Sequence, residues 1–400
     1  MTPTRTDLGP AGLAAREEHC AKLSAMTHML PAAPLGRRSL ADVLPGALDA
    51  VLGVPGVFGG PKVDRVVVVL VDGLGASSLK QRAGHARTLA PALTRATTIP
   101  SGFPTTTAAA LASLTTGSRP GEHGMVGYRV LDRSADRLVN QLSGWDAGMV
   151  PELWQPHPTV FERATAQGVA ASVIGPSRYA GSGLTRAILR GAEYRSAGSI
   201  AERFSAARQV LDGGGRRLVY LYVPELDMTA HARGWESPEW TAALELLDGE
   251  VSSFVRGLGP REAALVTADH GVLDVPASSH VLVEGRLLEG VRHLAGEPRC
   301  LQLHLEADAD LGAVLERWRE AEGGRAWIAS RDEVAASGWF GEVGPTAAGR
   351  MGDVFVAARK AIAYYDAADA SGRSMIGQHG SLTPEETQVP LIGYGALAGA

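Results

Sequence analysis

Only two cysteines occur in the 400-residue chain, Cys20 and Cys300, and they stand far apart with no C-x-x-C spacing. That excludes a disulfide framework and a thiolate metal site. The chain also has no run of lysine and arginine, and its formal net charge is −5. An electrostatic nucleic-acid binder and a polybasic membrane segment are therefore not expected, and small diffusing substrates are the expected partners. No stretch approaches the roughly 20 apolar residues that cross a bilayer, and the first thirty residues carry no apolar segment behind a basic start. With neither kind of segment in the sequence, a cytoplasmic location is the expectation. No low-complexity tract or repeat period is present, although 49 glycines and 23 prolines make turns frequent.

What is present is a 45% apolar chain that can bury a large core. Residues 1–60 read as an N-terminal extension of one or two short helices and the Gly/Pro-rich loop VLGVPGVFGGPK. Residues 61–400 read as one catalytic domain. Val66 to Val71 is continuous and β-branched, as in a strand covered on both faces, and similar runs recur at VAASVIG, RLVYLYV, EAALVTA and DVFVAA. Helical spacing separates them, clearest at Trp240, Leu244, Leu247, Val251, Phe254 and Leu258. The expected fold is α/β, a mostly parallel central sheet flanked by helices on both faces. Residues 272–350 break this rhythm and are a candidate cap or subdomain.

Three of the strands lead into acids. VVVVLV ends on Asp72; RLVYLYV leads to Asp227 and His231, four residues apart; EAALVTA leads to Asp269 and His270. Taken singly, an Asp-Gly is a turn signal, an Asp-His a surface turn, and a spacing of four a coincidence on a helix face. Jointly, at the carboxyl ends of α/β strands where ligands bind, they point to a metal centre. Aspartate and histidine without cysteine suit zinc, or manganese as the alternative. A further histidine, His379, lies in the glycine-flanked stretch QHGSLTPEE. A nucleophile candidate lies in PTTTAAALASLTTG, where Thr105 to Thr107 precede a strong helix former. At least one of these threonines is expected to cap the helix, and the helix start is suited to an anion such as phosphate.

VDGLG, the threonine-rich helix start ending in Thr116-Gly117, PELDMTAH, ADHG and QHGSLTPEE, in this order from Asp72 to His379, resemble the alkaline phosphatase superfamily. More narrowly they resemble its type I phosphodiesterase/nucleotide pyrophosphatase branch. The resemblance implies two divalent ions, most simply Zn2+. Asp72, Asp269, His270 and the nucleophile match the ligands of one; Asp227, His231 and His379 match those of the other. The family pattern P-x-x-T, followed nine and ten residues later by a TG pair, selects Thr107 over Thr106. The implied chemistry is in-line attack by Thr107 on a phosphodiester or phosphoanhydride, with the substrate a small phosphorylated molecule such as a nucleotide.

One departure concerns substrate grip. Relatives carry a T-F-P-N-like stretch whose Asn contacts a phosphate oxygen, whereas Thr107 is followed by Ala108, Ala109 and Ala110. No C-x-P-x-R, DSA or N-S-E motif points to the sulfatase, alkaline phosphatase or phosphoglycerate mutase branches. The alternatives are a phosphomonoesterase or phosphonate hydrolase on the same two ions and, against the presence of Thr107, a non-catalytic metal-binding protein. Pocket shape, and so substrate choice, is expected to lie with Leu131–Gly198 and Val272–Arg350. His123 and His280 are expected to be structural, as are Trp154, Trp235 and Trp240, although those rings could also stack on a nucleobase.

Overall fold

Water is excluded from the strand Arg65–Val71 beyond its first residue, and Val66 to Val71 are at most 1% exposed. The computed structural model, which describes residues 30–399 apart from 35, 61, 62 and 370, places this strand inside a seven-stranded sheet. The order across the sheet is Thr98–Pro100, Gln388–Gly395, Glu262–Thr267, Arg65–Val71, Arg217–Val223, Ala170–Gly175, Glu193–Ser196. Five neighbouring strands are parallel, and Gln388–Gly395 runs antiparallel to both of its neighbours.

Helices cover the sheet. Val43–Leu52 packs on Arg65–Val71 and Arg217–Val223 and against helices Thr107–Thr116 and Val160–Ala166. Ile200–Asp212 packs on Ala170–Gly175 and Arg217–Val223 and against Pro238–Arg256. In the last helix Trp240, Leu244, Leu247, Val251 and Phe254 are buried at the expected spacing. Ser237 caps its start by accepting from the Trp240 amide, and Leu258 falls beyond the C-cap Gly257.

The run DVFVAA departs from expectation. Val354–Ala358 lies not in the central sheet but in a second, six-stranded antiparallel sheet, between Ala326–Ser330 and Cys300–Leu305. Val291–Glu297, Arg129–Asp132 and Arg137–Asn140 complete that sheet. A doubly buried strand looks alike in either sheet, because its own residues do not name its partner. Segment 272–350 thus supplies three of the six strands. The C-terminal strand Gln388–Gly395 escaped sequence reading because Pro390, Gly393 and Gly395 interrupt its pattern. Of the N-terminal expectation, Val43–Leu52 is a helix, while residues 1–29, with Cys20, His19 and His28, lie outside the described residues.

Candidate active site

Strand register brings the first acids together. Leu70 pairs with Thr267, so two residues further Asp72 and Asp269 stand level at the carboxyl edge of the sheet. Val71 pairs with Val223, and the Asp72 amide donates to the Val223 carbonyl at 2.9 Å. The chain after Val223 enters helix Glu225–Arg233, which presents Asp227 and His231 one turn apart. Gly73 makes the junction: its φ is +76°, and a β-carbon there would meet Asp227 Cβ at 3.0 Å. Its amide donates to Asp269 Oδ1 at 3.2 Å.

The three histidines share one orientation. His231 Nδ1 donates to the Gly377 carbonyl at 2.7 Å, His379 Nδ1 to the Thr105 carbonyl at 2.7 Å, and His270 Nδ1 to the Gly271 carbonyl at 3.3 Å. Fixing Nδ1–H in this way turns each Nε2 inward. His231 Nε2 is 3.1 Å from Asp227 Oδ2, and His379 Nε2 is 3.8 Å from Asp227 Oδ1. His270 Nε2 lies 3.4 Å from Asp72 Oδ1 and 3.5 Å from Asp269 Oδ2.

The threonines divide their work. Thr105 Oγ1 donates to the Ser381 carbonyl at 2.8 Å and accepts from the Gly380 amide at 2.9 Å, tying the helix start to the loop of His379. Thr106 is the N-cap residue, but its side chain does not cap, and the expected threonine cap is absent. The hydroxyls are drawn away by tertiary partners, which leaves the first-turn amides without a side-chain acceptor. Thr107 Oγ1 lies 3.2 Å from His270 Nε2.

Burial sets the electrostatics. Asp72 is pushed well above the usual carboxylate range by burial and then by the nearby Asp269 and Asp227. Burial and Asp227 raise Asp269 to about 7. Burial holds His270 at about 3, and His379 also lies well below the imidazole range. At Asp227 burial acts upward, yet pairing with His231 outweighs it and the pKa falls. His231 rises for the reciprocal reason. Three buried acids therefore face two imidazoles that burial keeps neutral, His270 and His379, and a third, His231, whose charged form Asp227 favours, with Asp72 Oδ1, Asp227 Oδ1 and Asp269 Oδ2 all lacking a hydrogen-bond partner.

The type I phosphodiesterase/nucleotide pyrophosphatase family matches residues 66–382. The chain belongs to this family. It is accordingly a phosphoric ester hydrolase of the alkaline phosphatase superfamily, whose members use two divalent metals. The fold is shared with murine ectonucleotide pyrophosphatase/phosphodiesterase 5 at TM-score 0.60 and 15% identity, over 82% of this chain and 87% of that one. It is also shared with phosphonoacetate hydrolase from Sinorhizobium meliloti 1021, in complex with phosphonoformate, at TM-score 0.66 and 18% identity, over 91% and 93% of the two chains. A phosphopentomutase from Anaeromyxobacter dehalogenans is 32% identical over 118 residues, which is 29% of this chain and 28% of that enzyme.

In this phosphodiesterase-family chain the donor set fits a divalent cation. Asp72, Asp269 and His270 form one group able to hold an ion, and Asp227, His270 and His379 form a second. Unpartnered buried carboxylate oxygens are costly unless a cation or proton meets them. Hard oxygen and imidazole donors in this mixture suit zinc or manganese.

A cavity of about 810 Å³ opens from this centre, lined by Asp72, Thr107, Asp227, His231 and His379. Both segments expected to shape it contribute, and so does Tyr364–Met375, which sequence reasoning had not named. Seven of the eight tyrosines line it, whereas Trp154, Trp235 and Trp240 do not. Those tryptophans are buried; Trp154 lies under Arg350, with the guanidinium 3.8 Å from its ring centroid. His123 is fully buried, with Nε2 3.0 Å from Ser113 Oγ, and His280 packs on Tyr365 at 4.7 Å between ring centroids.

Two supporting features were missed in the sequence. The Tyr222 hydroxyl donates to Asp72 Oδ2, and burial together with Asp72 keeps that phenol protonated. Glu386 takes the Arg299 guanidinium at 2.8 and 2.7 Å, the Ser381 amide at 2.8 Å and the Thr383 hydroxyl at 2.8 Å, which fixes the loop that follows His379. The alternation of RLVYLYV could have marked Tyr222. Nothing local marks the pairing of Glu386 with Arg299, because Arg299 is 87 residues away.

Proposed function

We propose that the chain hydrolyses phosphodiester or phosphoanhydride bonds by transfer of the phosphoryl group to Thr107, using two divalent ions, zinc or manganese. Asp72, Asp269 and His270 would hold one ion beside Thr107, and Asp227, His231 and His379 the other. Bound there, the ions would favour the Thr107 alkoxide and offset charge on the phosphoryl oxygens. The observation that carries the reading is the Thr107 hydroxyl 3.2 Å from His270 Nε2, an imidazole belonging to both candidate ligand groups.

Thr107 Oγ, its proton released to solvent, attacks phosphorus in line, the bond to the leaving oxygen breaks, and that oxygen departs with a proton taken from solvent. Water then hydrolyses the phosphothreonine, returning the threonine and releasing the phosphorylated product. The helix start at Thr107 has no side-chain cap, so its amides are free to meet phosphoryl oxygens. An inactive threonine-to-alanine variant of murine ectonucleotide pyrophosphatase/phosphodiesterase 5 is known in complex with AMP, which supports a nucleotide-like substrate and a working threonine. The phosphonate-hydrolase alternative draws on the Sinorhizobium meliloti structure, but a tyrosine-walled cavity of about 810 Å³ is far larger than a two-carbon phosphonate needs and favours a bulky leaving group.

The test is nitrophenol release from bis(p-nitrophenyl) phosphate, p-nitrophenyl phosphate and a nucleoside 5′-monophosphate nitrophenyl ester, with zinc- or manganese-loaded protein and Thr107→Ala. Diester or nucleotide-ester preference that the substitution abolishes is the expected result. Turnover on the monoester alone, or turnover that survives Thr107→Ala, would overturn the reading.

A further inference from the structure

The strand Val291–Glu297 ends on an acid that the mechanism above does not use. Glu297 is 6% exposed, and its side chain forms part of the cavity wall that also holds Thr106, Thr107 and His379. The Thr106 hydroxyl donates a hydrogen bond to its carboxyl. Gly380, next to His379, is packed so closely that a β-carbon there would stand 2.5 Å from Glu297 Cγ. Glu297 thus sits between the start of the nucleophile helix and the histidine loop. Its Oε1 has no hydrogen-bond partner.

The cation nearest in sequence is not available to it. Arg299 is consumed by both Glu386 oxygens and by the carbonyls of Ala358, Lys360 and Ile362. A buried carboxyl without a cation stays neutral and keeps its proton as a donor. The stretch Ala108–Ala110 after the nucleophile supplies no side-chain donor to a phosphoryl oxygen, so that oxygen needs one from elsewhere.

We propose that Glu297 acts as a neutral acid that donates a hydrogen bond to a non-bridging oxygen of the phosphoryl group held at Thr107, making it a substrate-contacting residue. This rests on the hydrolase reading given above. Burial, with Glu386 adding to it, outweighs the opposing hydrogen bond from Thr106 and raises the Glu297 carboxyl to about 8, in keeping with a donor at neutral pH.

The experiment uses the zinc-loaded full chain with Glu297→Gln, which keeps a donor, and Glu297→Met, which fills the space without one. Two readouts are taken, kcat/KM on bis(p-nitrophenyl) phosphate and calorimetric binding of inorganic phosphate, with zinc content and melting temperature checked for each variant. The expected result is that Glu297→Met loses about 10²-fold in kcat/KM, the usual effect of removing one preorganised donor. Phosphate affinity falls about tenfold or more, while Glu297→Gln restores most of both. Wild-type values in Glu297→Met, or equal losses in the two variants, would overturn the proposal. Phosphate binding reads Glu297 even if nitrophenyl turnover fails, and Thr107→Ala reads the hydrolase assignment separately.

Discussion

His270 and His379 stack face to face, with ring centroids 3.6 Å apart and 15° between the planes. One ring follows the strand Glu262–Thr267 and the other comes from the C-terminal loop, more than a hundred residues later. Each is held through Nδ1 by a backbone carbonyl, so the stack presents two Nε2 atoms side by side to the buried carboxylates. Two neutral imidazoles in contact are a donor surface, and a cation would be stabilised by both.

Asp72→Asn removes one charge from that surface while keeping the shape of the strand end. Bound zinc or manganese is expected to fall at least tenfold in affinity and turnover to fall with it, while the far-ultraviolet circular dichroism stays that of the wild type. Metal content by mass spectrometry is the measurement, and an unchanged metal content with unchanged turnover would remove Asp72 from the ligand set.

Tyr222→Phe leaves the ring in the cavity wall and deletes only the hydrogen bond to Asp72 Oδ2. Outer hydrogen bonds of this kind are worth about 10- to 100-fold in metal affinity. A competition titration with a chromophoric chelator checks this. Equal affinities for the two proteins would show that the phenol does not orient Asp72.

Arg299 and Glu386 are both fully buried, so deleting one partner strands a charge. Arg299→Met should cost about 3–5 kcal/mol in denaturant unfolding, and the double variant Arg299→Met/Glu386→Leu should recover part of that loss. Amide exchange in residues 379–383 should rise in the single variant, because the carboxylate that accepts from the Ser381 amide and Thr383 hydroxyl becomes uncompensated.

Stability should also depend on pH through Glu262, at the opposite edge of the sheet. Hydrogen bonds from Arg208, with Arg65 assisting, outweigh the opposing effect of burial and hold this carboxyl at about 2. A depressed carboxyl stabilises the fold fully above its unfolded value, and the contribution is lost as pH falls through the folded value. Glu262→Gln should therefore be less stable than wild type at pH 7 by about 1–3 kcal/mol, and the difference should shrink between about pH 4.5 and 2. A constant difference across that range, read from urea midpoints, would contradict the role.

The sequence by itself determined the strand ends. Asp72 and Asp269 follow apolar runs directly and Asp227 lies one helical turn beyond a third, and covalent adjacency delivers a side chain to the edge of a sheet whatever the neighbouring strands are. The helix Pro238–Arg256 was legible for the same reason, since its periodicity and its cap are local. Which strand pairs with which was not local, and tertiary structure alone decided it. Only the parallel register of Leu70 with Thr267 sets Asp72 level with Asp269, and only the second sheet claims Val354–Ala358. Tertiary contacts also took the threonine hydroxyls from their expected capping role, and brought Glu297 against Thr106 and Gly380 across long stretches of chain. The physical reason is the same in each case. A hydrogen bond or buried contact between distant segments is chosen by how the whole core packs, and no short stretch of residues encodes its own distant partner.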